Sequence, residues 1–151
     1  MAIEITRWGR DHWSTLLYVE DVCVSGNGEP VAERMRQWPG RPRRGRLLDA
    51  VPGLPAPGKG YPTRLNDGTE VHDHDDFDCV EDMVDAGLVE WRGTGLRPVF
   101  RLTALGWAMA SALRQHMATR SSEMFDPQRV LDAEKERRAG RPERAKREEQ
   151  R

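Results

Sequence analysis

The stretch WPGRPRRGRLLDAVPGLPAPGKGYP, Trp38 to Pro62, limits what this chain can build more than any other. Each proline fixes φ and removes a backbone donor, and the interspersed glycines favour turns, so neither helix nor strand runs through most of it. An irregular loop is expected over 39–62. A loop of that length is functional, disordered or laid over the surface. The core must therefore come from the segments on either side.

Before the loop, DHWSTLLYVEDVC reads as a helix over Asp11–Cys23. Asp11 suits its N-cap, and Trp13, Leu16, Leu17, Val19, Val22 and Cys23 recur at helical spacing. SGNGEP breaks it, and Pro30 can open a short second helix to Gln37 with Val31, Met35 and Trp38 on one side. After the loop, YPTRL predicts a short strand. Next, a helix from Asp75 or Asp76 to Ala86 puts Phe77, Val80, Val84 and Leu88 on one face, aided by Met83 and Cys79. Gly87 is its expected C-terminal cap. The opposite face carries Asp78, Glu81, Asp82 and Asp85 and is expected to be exposed.

VEWRGTGLRPVFRL predicts a hairpin with arms Leu88–Trp91 and Val99–Leu102 around a glycine-rich turn. Thr103 suits the cap of a last helix from Ala104 to about His116, with Leu105, Met109, Ala112, Leu113 and His116 on one stripe. Beyond Arg120 the chain is densely charged, ending EKERRAGRPERAKREEQR, with few large apolar residues to bury. It is expected as a frayed helix or a disordered tail. The order predicts a helix-rich α+β fold: one domain over 1–119 and a charged extension over 120–151.

Of the 151 residues, 37% are hydrophobic and 32% charged, so the core is small for the chain length. No apolar run approaches the roughly 18 residues of a membrane span, and MAIEITRWGRDHW lacks the apolar region of a signal peptide. Two cysteines, Cys23 and Cys79, make neither a disulfide framework nor a four-cysteine zinc pattern. A cytoplasmic protein with no membrane partner is expected. The net charge of −1 conceals segregation. Arg34–Arg64 is basic, Leu65–Glu90 has no Lys or Arg, and Trp91–Thr119 carries Arg92, Arg97, Arg101 and Arg114 with no acid. Such blocks can hold each other within the fold or present opposite faces to partners.

The residues DCVEDMVDAGLVE…RPVFRLTALGWAMASALRQH resemble the second half of a winged-helix domain of the kind found in bacterial regulators. There, a helix ending "aGLv" is followed by a two-stranded wing, and "LTxxG" starts a long helix. The resemblance covers Asp75 to His116 and implies a fold, not a function. WGRDHWSTLLYVE also resembles the opening of small uncharacterised bacterial and phage proteins. In a winged helix that binds DNA, the acidic helix here would be the major-groove reader. Duplex DNA carries one negative charge per about 1.7 Å, so four carboxylates directed at it repel. Winged-helix regulators also dimerise through terminal helices, a role Asp126–Arg147 could serve in a homodimer.

The densest candidate chemistry is VHDHDDFDCVEDMVDAGLVE, Val71 to Glu90. His72, His74, Cys79 and the surrounding aspartates offer ligand types for zinc or a harder cation. Neither the H-E-x-x-H spacing nor a calcium loop is present, and the tandem HD pairs stand in the run-up to a helix. HD-type phosphohydrolases spread their histidines over several helices. Asp73, Asp75 or Asp76 serves equally as a helix cap, so no metal or cofactor is expected. GLPAPGKG has the spacing of a phosphate loop but ends in Gly60 where Ser or Thr would hold magnesium. His12, His72, His74 and His116 form no visible triad, and Cys23 and Cys79 sit in apolar patterns. No catalytic residues are expected.

The sequence thus points to a non-enzymatic regulatory or accessory module associated with nucleic acid. Arg41, Arg43, Arg44 and Arg46 lie in GRPRRGR, which resembles a peptide whose arginines enter a narrow minor groove. Arg92, Arg97 and Arg101 of the wing would add phosphate contacts. The alternative is a protein-interaction module docking Asp78, Glu81, Asp82 and Asp85 on a basic partner protein.

Overall fold

A computed structural model describes residues 2–31, 34–35, 62–72, 74–93 and 98–149, with side chains up to residue 140 except at 93 and 98. The loop predicted over 39–62 lies outside the described residues except for Pro62, as do four of the eight residues of the predicted Pro30–Gln37 helix. Of that helix, Met35 is buried against the core.

The chain is α+β. Among the described residues it has four α-helices and two small antiparallel hairpins. Helix α1 spans Arg10–Ser25 and buries His12, Thr15, Leu16, Val19 and Val22 at the expected spacing. Its N-cap is Gly9 rather than Asp11. Asp11 sits in the first turn, where its carboxylate accepts from the Arg64 backbone N–H at 2.7 Å. The approach of the two backbones explains the glycine: a Cβ on Gly9 would overlap the Arg64 carbonyl oxygen.

The predicted strand at YPTRL is β1, Thr63–Arg64, and it pairs with β2, Glu70–Val71. The second strand was not foreseen, because two residues carry no readable alternation. Helix α2, Asp76–Asp85, starts at Asp75 with a capping box. Asp75 N–H donates to Asp78 at 3.0 Å, and Asp78 N–H donates back to Asp75 at 3.2 Å. Strands β3, Val89–Gly93, and β4, Pro98–Leu102, form the expected hairpin, with Trp91 opposite Phe100 and Glu90 opposite Arg101. Helix α3 covers Ala104–Ala118 with Thr103 as its cap, as expected.

The turn from α2 into β3 and the start of α3 form one joint. Gly87 has φ +80°, and Leu88 N–H donates to the Met83 carbonyl at 2.9 Å, closing the helix end. Thr103 Oγ1 then donates to the Gly87 carbonyl at 2.6 Å, while Thr103 N–H donates to the Leu88 carbonyl at 3.0 Å. Three residues on, Gly106 lies so near the Leu88 carbonyl that a Cβ would overlap it. The "aGLv" and "LTxxG" signals are therefore two sides of one contact.

Helix α4 runs Pro127–Glu149, the helical one of the two forms expected for the tail. Its first turns pack on the core through Val130 and Leu131, preceded by Phe125, whose ring meets Trp13 edge-on at 5.0 Å. The core, with Trp8, Leu16, Val19, Phe77, Val80, Met83, Leu88, Phe100 and Met109, lies between α1, α2, the β3–β4 hairpin and α3. Burying this apolar set supplies the main drive to fold. No helix among the described residues is long and apolar enough to cross a membrane.

Candidate functional site

The most heavily built polar feature lies inside this core. Helix α2 shows four carboxylates at its outward spacing, but Asp82 is only 5% exposed and faces α1. This corrects the expectation of an exposed Asp78–Glu81–Asp82–Asp85 face. Phe77, Cys79, Val80 and Met83 are all buried, so the inward arc of α2 is wide enough to include position 82. Asp78 is half-buried and engaged in the capping box, Glu81 is half-buried, and Asp85 is exposed.

A buried carboxylate needs hydrogen bonds to remain in the core. Asp82 Oδ2 accepts from His12 Nε2 at 2.9 Å and from His74 Nε2 at 2.9 Å. Its Oδ1 accepts from Ile3 N–H at 3.1 Å. His12 comes from the first turns of α1, His74 from the run-up to α2, and Ile3 from the N-terminal arm. One carboxylate thus joins three segments, two of them about 70 or more positions away.

Charge follows from these bonds. Burial pushes the Asp82 carboxyl up, but the hydrogen bonds from His12 and His74 outweigh it and hold the group below its ordinary range. Burial pulls the His12 imidazole below its ordinary value, and its bond to Asp82 only partly opposes this. The consistent state is an ionised Asp82 receiving an N–H from a neutral His12.

The surroundings hold the two rings in place. Trp8 stacks on His12, with centroids 5.0 Å apart and planes 6° from parallel, and its indole N–H donates to the Ile3 carbonyl at 2.9 Å. The arm over residues 3–8 is therefore fastened across the site. His74 Nδ1 lies 2.8 Å from Thr63 Oγ1, whose hydroxyl donates to the His74 carbonyl at 2.7 Å. Cys79 Sγ stands 3.9 Å from His74 Nδ1. Across the helix interface, Thr15 Oγ1 donates to Asp76 at 3.2 Å.

The fold thus brings His74 and Cys79 together from the candidate metal-ligand set and leaves His72 exposed. It adds His12, Asp82 and Thr63. His12 had a sequence signal, since it falls on the apolar stripe with Leu16 and Val19. Nothing local marked Thr63.

The arginines expected to meet nucleic acid lie elsewhere. Arg92 and Arg101 are exposed on the hairpin, and Arg92 pairs with Glu90 at 3.3 Å. Cross-strand pairing of Glu90 with Arg101 and of Arg92 with Val99 puts these four residues on one face. Trp91 and Phe100 point the other way, into the core. Arg41, Arg43, Arg44, Arg46 and Arg97 lie outside the described residues. Cys23 donates its thiol to the Phe100 carbonyl at 3.3 Å, and burial pushes that thiol up. His116 donates to the Glu123 carbonyl at 2.8 Å rather than to a helix-end carbonyl of α3.

Comparison with protein-family models, with characterised proteins and with solved structures gives no match to this chain.

Proposed function

We propose that this chain is a non-enzymatic regulatory or accessory module associated with nucleic acid, built on a winged-helix-like arrangement in which β3–β4 is the wing. The observation that carries the reading is the exposed pair Arg92 and Arg101 on the outer face of that hairpin. The short connection between the strands includes Arg97, and the basic segment with Arg41, Arg43, Arg44 and Arg46 supplies the larger share of the positive charge. Helix α2 has no Lys or Arg and is not the reader. The competing reading, an acidic helix docked on a basic protein, is weakened by the inward Asp82 and the capping role of Asp78.

Binding of a labelled DNA duplex, followed by fluorescence anisotropy across a salt series, tests the proposal. Affinity falls steeply with salt, and the Arg92→Ala/Arg101→Ala double variant lowers the logarithmic salt slope by about 2, roughly one per lost phosphate contact. Changing Arg41, Arg43, Arg44 and Arg46 to Ala lowers it further. Binding that ignores salt, or that survives both sets of changes, overturns the proposal. Binding to a lysine-rich protein instead, abolished by Glu81→Lys/Asp85→Lys, would establish the competing reading.

A further inference from the structure

The buried rings also present a donor set that the nucleic-acid reading does not use. One ring nitrogen of His12, one of His74 and the Cys79 Sγ lie within 4.8 Å of one another, and all three residues are buried. Asp82 accepts from Nε2 of both histidines, which leaves each Nδ1 as the nitrogen on offer; that of His74 contacts Thr63 Oγ1 at 2.8 Å, a contact that an ion would replace. A carboxylate that fixes the tautomer of a histidine in this way is the usual support of a metal-bound imidazole. The His12 Nδ1 is buried without a hydrogen-bond partner, although His12 is fully enclosed. Leaving such an acceptor unsatisfied is unfavourable, and native interiors rarely do so.

We propose that His12, His74 and Cys79 bind a zinc ion, with Asp82 as the positioning residue that orients both imidazoles. The chemistry selects the metal: two imidazoles and a thiolate suit zinc and are a poor set for calcium or magnesium, which take oxygen ligands. Distances fit as well. Zn–S of about 2.3 Å and Zn–N of about 2.0–2.1 Å put sulfur and nitrogen roughly 3.6 Å apart around one ion. Cys79 Sγ and His74 Nδ1 stand at 3.9 Å, so a small inward movement closes that edge. Charge is offset too, because the dication would face the thiolate of Cys79 and have the Asp82 carboxylate behind both imidazoles. Binding transfers the thiol proton of Cys79 to solvent and involves no redox step.

The ion would tie α1, the run-up to α2 and α2 together, with the N-terminal arm laid over it through Ile3 and Trp8. With His12 and Cys79 fully enclosed and His74 at 8% exposure, the ion would be shielded from bulk solvent, with a water completing the tetrahedron that three protein ligands leave open. The site was not legible as a sequence motif, because its three ligands have spacings of 62 and 5 residues.

Elemental analysis of the full chain, purified without a histidine tag or chelator, tests the proposal together with cobalt titration of the stripped protein. About one zinc per chain is expected, and cobalt gives a thiolate charge-transfer band with the visible bands of a tetrahedral ion. Cys79→Ser and His74→Asn lose the band and the zinc, whereas His72→Asn keeps both. Asp82→Asn weakens zinc about 10–100-fold, as expected for loss of an orienting carboxylate. If the variants fail to fold, the wild-type chain still decides: zinc slows alkylation of Cys79 and a chelator reverses it. Folded wild-type protein with no stoichiometric metal and no cobalt–thiolate band overturns the proposal. So does a zinc ion retained in folded Cys79→Ser.

Discussion

The C-terminal end of α2 and its inner face are held by different physics. At its C-terminal end, Gly87, Leu88, Thr103 and Gly106 close a joint made almost wholly of backbone carbonyls and one hydroxyl. Along the inner face, Asp82 gathers two imidazoles and a backbone N–H inside an apolar core. The joint needs small residues and exact spacing. The hub needs every donor to find its acceptor, since a buried polar group without a partner is unfavourable by about 1–3 kcal/mol. The joint therefore tolerates little added volume, and the hub tolerates little lost polarity.

The sharpest way to break this contrast is to set Asp82→Ala beside Asp85→Ala. Removing Asp82 strands Ile3 N–H and the Nε2–H of both histidines, and destabilises the fold by about 3–5 kcal/mol in denaturant unfolding. Asp85 is exposed in the same helix, and its loss leaves the unfolding midpoint nearly unchanged. Equal effects would mean that Asp82 is not an internal hub.

Gly106→Ala tests the joint. The new methyl meets the Leu88 carbonyl oxygen, a backbone atom that cannot rotate away, and destabilises by about 1–3 kcal/mol. A neutral result in the same unfolding assay would show that the joint is slack. Thr103→Ala follows, at about 1 kcal/mol, because the hydroxyl caps α3 by accepting from Gly106 N–H at 3.0 Å and also donates to the Gly87 carbonyl. Thr103→Ser retains both bonds and should recover most of the loss.

The smallest contrast sets the two thiols against each other. Cys79 lies at the hub and is fully buried; Cys23 lies beside the hairpin, partly exposed, with its thiol pushed up by burial. Iodoacetamide at neutral pH should label Cys23 slowly, because little thiolate forms, and Cys79 later still. Labelling of Cys79 first, read by peptide mass spectrometry, would reverse the burial assignment.

The same contrast explains what the sequence could disclose. The joint was legible because its signals are local: Gly after an apolar stripe, Thr before one, and alternation between them. At the start of α2 the sequence offered Asp75 as one of three caps, but the reciprocal bond from Asp78 was not read, because Asp78 was assigned to the exposed face. Asp82 was misread because i, i+3 and i+4 spacing from Asp78 and Asp85 placed it on the polar arc, and only packing against α1 shows that the buried arc reaches it. His12 and His74 were visible singly, yet their meeting depends on how the segments before and after the long loop come together. Composition left helix and disorder open for the tail, and did not show that Phe125, Val130 and Leu131 find the core, a contact that such an argument averages away.

The most direct measurement is nitrogen-15 NMR of the His12 and His74 side chains. If Asp82 holds both rings, each shows a protonated Nε2 with a slowly exchanging proton coupled to it, and both signals are lost in Asp82→Ala while those of His72 and His116 are unchanged. Ring nitrogens of His12 and His74 that exchange as freely as those of exposed His72, or that are untouched by the substitution, would contradict the hub.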